Sequence, residues 1–393
     1  MTQSEVHQAA YDMIYLISCM LNKKEPDQKY LNKMEMDNIY KISCLHNLTA
    51  ITYKSISLFG NKKDLEDNIR KKWKEKTEKA VRKNILLDIE REELFNFCEK
   101  NKIWYLPLKG VILKNYYPQD GMRQMADNDI LFDRTYQQEI YRWFTCRGYE
   151  AKYEVGNHDC YYKEPIYNFE MHISLFGNTH NPIWVEYYKD IEKRLCKDNV
   201  KKYLYHFSRE DFYIYIMCHA YKHYDASGTG LRTLLDFYMY LKKEESNLDW
   251  SYIKNETKKL EIEEFEEKSR ILCKKLFENE EDLQTRLTEE EKRLLERFVL
   301  SGTYGTREQR IRKQLTDIDP DEQSISWKTK CIYWKQRVFP DEMQMEQWTK
   351  MYSPFLYKHH CYGMITKIWR IVYVIFKRNS VIWDEWKLVS KSK

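Results

Sequence analysis

Residues Leu106 to Asp133 read LPLKGVILKNYYPQDGMRQMADNDILFD. The stretch holds an apolar run, a Lys-Gly turn, a segment of helix length, a Pro/Gly loop, and two aspartates that open a second apolar run. Residues i and i+2 of a strand point to one face, so a strand starting here sets Asp127 and Asp129 side by side. Neighbouring carboxylates repel and need a cation between them or a proton on one. The pair is therefore a candidate metal site.

Working outward, IWYLPL (103–108) and DNDILF (127–132) read as strands, with one short helix from Gly110 to Tyr117 that Pro118 stops. Asp133 to Arg147 reads as a helix closed by Gly148. Three strand candidates follow: Tyr149–Val155, Asp159–Tyr162 and Ile166–Ile173. The order β-α-β-α-β-β-β predicts an α+β unit with a small mixed sheet.

Helical patterns flank this unit. Val6, Ala9, Ala10, Met13, Ile14, Ile17 and Leu21 recur at helical spacing. Met34 to Leu58 reads as a second helix ending at Gly60-Asn61. Asp64 to Lys100 is a long charged helix with anchors at Ile69, Trp73, Ala80, Ile85, Ile89, Leu94 and Phe95, its charges forming a solvated face. After Pro182 helix returns: Ser208-x-x-Asp211 caps one, and LRTLLDFYMYLKK (231–243) is another. The chain from Trp327 onward is basic and aromatic, and its Trp369–Lys387 part is expected to pack as an amphipathic helix, with contact to RNA, a membrane surface or a partner as the alternatives. The expected division is a helical region over 1–101, the α+β core over 102–182, and a second helical region over 183–393.

Composition narrows the class. The 393 residues are 42% hydrophobic and 32% charged, enough for a core and unlike a disordered chain. Gly (11) and Pro (8) are scarce, which favours helix. A net charge of +5 is compatible with an anionic substrate and too weak to argue for nucleic acid. None of the ten cysteines forms a Cys-x-x-Cys pair, and MTQSEVHQ is too polar for a secretion signal. These features predict reduced cysteines and a cytoplasmic protein. No apolar run reaches the roughly 20 residues needed to span a bilayer.

The chemistry expected uses three acids: Asp127, Asp129, and Glu170 in YNFEMHISL on a strand able to run alongside. Such carboxylates can hold two Mg²⁺ ions that bind a nucleotide triphosphate, activate an attacking hydroxyl and stabilise leaving pyrophosphate. Asp-x-Asp alone also serves as a polar strand entrance. Lys109-Gly110 is a strand-to-helix turn whose N–H groups could cradle phosphate, with Lys109 adding a cation. Gly110 as a plain tight turn is the simpler alternative. Arg123, four residues before Asp127, could orient the carboxylates or contact phosphate. His219 and His223 share a helix face, but residue 220 is Ala and no third zinc ligand stands nearby. Packing, or lining the nucleotide cleft with Arg232, suits them better, and Arg232 with Asp236 reads as an i,i+4 ion pair.

The run LKGVILKNYYPQDGMRQMADNDILF resembles the signature of the uncharacterised nucleotidyltransferase family of bacterial proteins, within the polymerase-β-like nucleotidyltransferase superfamily. The matching elements are Leu-Lys-Gly, Tyr-Pro, Arg followed by Asp-x-Asp, Glu170 and His172 on a later strand, then His219, His223, Gly230, Arg232 and Asp236. The resemblance implies a nucleotidyltransferase fold, with Asp127 and Asp129 as metal ligands, Glu170 as third acid or general base, and Gly110 in the phosphate turn. It implies an NTP, foremost ATP, as donor and a small molecule, protein or RNA as acceptor. Two departures stand out. The superfamily usually carries Gly-Ser or Gly-Gly where this chain has Lys-Gly and Val111, and the third acid here is Glu rather than Asp. A catalytically silent nucleotide-binding regulator and a helical interaction protein are the competing readings.

Overall fold

The structure, a computed structural model, describes residues 1–59, 67–153, 157–177, 180–278, 283–303, 305–319, 325–340, 342–358, 364–377 and 379–391. The helix end expected at Gly60-Asn61, the end of the third strand at Glu154-Val155, and Cys361 lie outside these residues.

Five strands form one mixed sheet: β1 (Tyr105–Pro107), β2 (Asn128–Phe132), β3 (Glu150–Tyr153), β4 (His158–Lys163) and β5 (Tyr167–His172), in spatial order β1-β2-β5-β4-β3. β1 runs antiparallel to β2, β2 parallel to β5, and β5 antiparallel to β4. The α+β class expected from the sequence is what the chain adopts.

The two sheet faces differ because their side chains alternate. Tyr105, Ile130, Phe132, Tyr161, Phe169 and Met171 are all buried in one cluster with Leu94, Phe95 and Cys98 of the long helix Asp67–Asn101 and Ile140 and Phe144 of the helix Gln137–Cys146. Burying large aromatic side chains contributes roughly 1.5–3 kcal/mol each, so this layer fixes the strands. The opposite face carries Asp129, Glu170, His172 and His158.

The long helix uses part of the anchor set expected of it. Trp73, Leu94 and Phe95 are buried, whereas Ile85 is 51% and Ile89 57% exposed. Between them the inward positions are Asn84, Leu87 and Arg91, all buried. Two of those three are polar, so a search for apolar periodicity misplaces the face in the middle of the helix.

The chain folds as two compact units. The first comprises residues 1–152, 156–222 and 229–303 and carries the sheet. The second comprises 153–155, 223–228 and 304–393. In the second, Ile311, Leu315, Tyr333 and Val389 form a small core, and the buried Glu385 accepts from Tyr333 Oη at 2.7 Å and Arg337 Nε at 2.7 Å. Trp383 and Trp386 of the terminal helix Asn379–Lys391 are 61% and 51% exposed, so its packed side is the Glu385–Val389 side rather than its tryptophans. Among the described residues no helix is long and apolar enough to cross a membrane.

Candidate active site

β2 and β5 run parallel in a register that places Asp129 directly opposite Glu170 and Leu131 opposite His172. β4 places His158 opposite His172 and Cys160 opposite Glu170. Asp127 precedes β2 by one residue. One sheet face therefore gathers Asp129, Glu170, His172 and His158 from three adjacent strands, with Asp127 at its edge.

Lys109 completes this group from the turn after β1. Its Nζ donates to Asp129 Oδ1 at 2.7 Å, and His172 Nε2 approaches the same oxygen at 3.0 Å. Asp129 and His172 are 8% and 5% exposed at the side chain. Lys109 adopts φ 42°, ψ −112°, a region that L-residues rarely occupy and that costs on the order of 1–3 kcal/mol. The turn holds that conformation while aiming an ammonium at the acids.

The electrostatics follow from burial and crowding. Burial raises the proton affinity of Asp129, but the Lys109 ammonium and the His172 hydrogen bond outweigh it and keep Asp129 ionised. Asp127 is pushed up, first by burial and then by Asp129. Glu170 is pushed up by burial, Asp129 and Asp127. Burial drives His172 down to about 4, so the ring is neutral at neutral pH.

The loop between Gly121 and Asp127 is fastened from three helices. Asn84 of the long helix donates to Arg123 O at 2.8 Å and accepts from Met125 N at 3.0 Å. Lys83 Nζ donates to Ala126 O at 2.7 Å. Thr49 Oγ1 and Ala50 N, at the start of the helix Thr49–Phe59, donate to Gln124 Oε1 at 2.5 and 3.1 Å. From the helix Leu231–Glu244, Arg232 Nη1 donates to Gln124 O at 3.1 Å. Asn128, between the two acids, points to the other face, where Arg91 donates to its Oδ1 at 3.0 Å and its Nδ2 donates to Leu87 O at 3.0 Å.

Three expectations change. Arg123 does not reach out to phosphate: its Nε and Nη2 grip Asp236 at 2.8 and 2.9 Å, and its Nη1 lies 3.1 Å from Met125 Sδ. Asp236 is thus the partner of Arg123 and of Tyr117 Oη, 2.8 Å away, rather than of Arg232. Arg123 offers Asp236 a bidentate grip, while Arg232 is turned to Gln124 O. The Lys109-Gly110 turn opens only a single helical turn, Gly110–Leu113. Its Val111, Ile112 and Leu113 N–H groups are already donated to Leu108 O and Lys109 O. Glycine is needed at 110 for proximity: a Cβ there would stand 2.5 Å from Arg123 Nη1 and 3.0 Å from Met125 Cε.

Two further residues escaped the sequence reading. Tyr215 and Lys222, seven residues apart on the helix Arg209–Ala226, share a face and lie within electrostatic reach of Lys109, Asp129 and Glu170. Burial, then Lys109, lowers Lys222 to about 8. His219, between them, has its ring centroid 6.1 Å from that of Tyr215. Among the described residues, the side chains able to close on a metal ion are His158, Glu170 and His172, with ligand atoms within 4.8 Å of one another. His158 carries no motif in the sequence; its cross-strand partnership with His172 is visible once the register is known.

A mixed sheet presenting cross-strand carboxylates beside a partly buried lysine defines a candidate catalytic face. The family described as uncharacterised nucleotidyltransferase matches over residues 32–278, well over half of the chain. The chain belongs to that family, which supports nucleotidyl transfer as the general activity. No curated protein and no solved structure matches the chain.

Proposed function

We propose that the chain transfers a nucleoside monophosphate from an NTP, foremost ATP, to an acceptor hydroxyl, with release of pyrophosphate. The cross-strand pairing of Asp129 with Glu170, with Asp127 upstream on the same strand end, carries this reading. The donor set fits hard divalent cations. Burial first, and neighbouring carboxylates second, raise the proton affinity of Asp127 and Glu170, and oxygen ligands suit Mg²⁺. Asp127, Asp129 and Glu170 would hold two Mg²⁺ ions. Bound there, the ions supply charge neutralisation at the attacking and leaving oxygens.

The chain's own groups do the rest. The acceptor oxygen forms a bond to the α-phosphorus as the bond from that phosphorus to the α,β-bridging oxygen breaks. The acceptor's proton passes to a Glu170 carboxylate oxygen. Lys109 steadies the triphosphate beside Asp129, with Gly110 permitting its turn, and His219 and Arg232 line the nucleotide side. Arg123 acts as a positioning residue, clamping the loop through Asp236.

Labelled NTPs offered with small-molecule, protein and RNA acceptors test this. Asp129→Ala is expected to lose transfer by on the order of 100-fold or more; equal transfer by variant and wild type rejects the mechanism. The Lys109–Asp129 ion pair favours one second reading, a silent nucleotide-binding regulator, because it already supplies Asp129 with a cation. Calorimetric Mg²⁺-ATP binding without pyrophosphate release selects that reading.

A further inference from the structure

We propose a second cation site on the same sheet face, formed by His158, Glu170 and His172, that takes a Zn²⁺-like ion in preference to Mg²⁺. The backbone builds it. His158 and His172 are cross-strand partners on β4 and β5, and Glu170 lies two residues before His172 on the same face. His158 Nε2 is 3.9 Å and His172 Nε2 3.8 Å from Glu170 Oε2. The imidazole centroids are 4.9 Å apart. Two ligand atoms on a tetrahedral Zn²⁺ stand roughly 3.3–3.5 Å apart given metal–nitrogen bonds near 2.0–2.1 Å. The three ligand atoms now lie within 4.8 Å of one another, so relative side-chain movements of up to about 1.4 Å close the set.

The donor chemistry decides the metal. Two imidazoles and one carboxylate suit borderline transition-metal ions, whereas Mg²⁺ wants oxygen throughout. Three protein ligands leave a position open, as in catalytic rather than structural zinc sites. The site is reachable: His158 and Glu170 are 20% and 25% exposed at the side chain. His172 is buried; binding replaces its Nε2 contact to Asp129 with a nitrogen–metal bond and moves the ring proton to Nδ1, which gives up its 3.4 Å contact with Asn157 Nδ2 while that amide keeps Ser174 O and Leu175 O as acceptors. Glu170 is the one residue shared with the nucleotidyl-transfer reading, and the site needs no nucleotide.

Titration of the full chain with Co²⁺, without nucleotide, tests the site. The expected result is visible absorption saturating at about one ion per chain, abolished by Zn²⁺ and retained in a hundredfold excess of Mg²⁺. His158→Gln is expected to weaken Co²⁺ binding by at least about tenfold with an unchanged melting temperature. Displacement by Mg²⁺ in the wild type, or a His158→Gln titration matching wild type, overturns the proposal; the wild-type competition stands even where the variant fails to fold. Asp127→Asn separates the two readings, since it should abolish transfer and keep Co²⁺. A His158-dependent Co²⁺ site in a protein that transfers no nucleotide leaves this site standing and removes the transferase reading.

Discussion

Lys109 holds an unfavourable backbone conformation and a buried ion pair at once. Removing one partner of a buried pair leaves the other charge stranded, at a cost of about 3–5 kcal/mol. Lys109→Met should therefore lower apo stability by an amount of that order. It should also make the acid cluster hungrier for divalent cations, because Asp129 loses its internal counter-ion. Thermal melts with and without Mg²⁺ check this: the variant should gain more from Mg²⁺ than wild type does, and an equal gain shows that ammonium and ion do not compete. The sequence already marks Lys109 and Asp129 as neighbours of the chemistry. It conceals their bond, because 20 residues separate them and only the β1–β2 pairing brings them together.

At the scale of elements, the long helix Asp67–Asn101 matters less for its charges than for Asn84 and Arg91. Asn84→Ala deletes a buried donor and acceptor that hold Arg123 O and Met125 N. Stranding those groups costs about 1–3 kcal/mol each. The variant is expected to lower the urea midpoint and to reduce transfer more than substrate binding, since the loop carrying Asp127 loses its fastening. A fall in stability with kcat and KM both unchanged contradicts that coupling. The strands were legible because YNFEMH alternates, because DNDILF closes on a short apolar run, and because Pro118 and Gly148 punctuate the helices. The ends of the helix face were legible through Trp73, Leu94 and Phe95; its middle was not, since Asn84 and Arg91 answer to the Arg123–Met125 loop and to Asn128 rather than to an apolar period. His158 and Lys222 stayed hidden for a related reason: each acquires meaning only from a strand or helix remote in sequence.

For the molecule as a whole, the crowded acids make stability depend on pH. The folded state holds the Glu170 proton up to about 8, against 4.5 for an ordinary glutamate. Its contribution is complete below about 4.5 and is lost as pH rises through about 8. Asp129 acts oppositely: its folded value is depressed, so its contribution is present above the ordinary aspartate range and lost only in strong acid. Buried His172, His46 and His180, lowered to about 4 from 6.5, oppose this below pH 6.5, so melting temperature should decline between pH 6.5 and 8 in metal-free buffer, and Mg²⁺ should stabilise more at pH 8 than at pH 6.5; Glu170→Gln should flatten the decline. A metal effect independent of pH would show that these carboxylates are not its ligands. Asn128 bears on a different property, tolerance of length change. Its side chain is bonded to Arg91 and Leu87 on the face opposite Asp129. Deleting a single residue within β2 itself, between Asn128 and Phe132, would put the positions on either side of the cut out of step, turning side chains of the aromatic layer toward the catalytic face; a deletion in the 118–126 loop leaves that alternation intact.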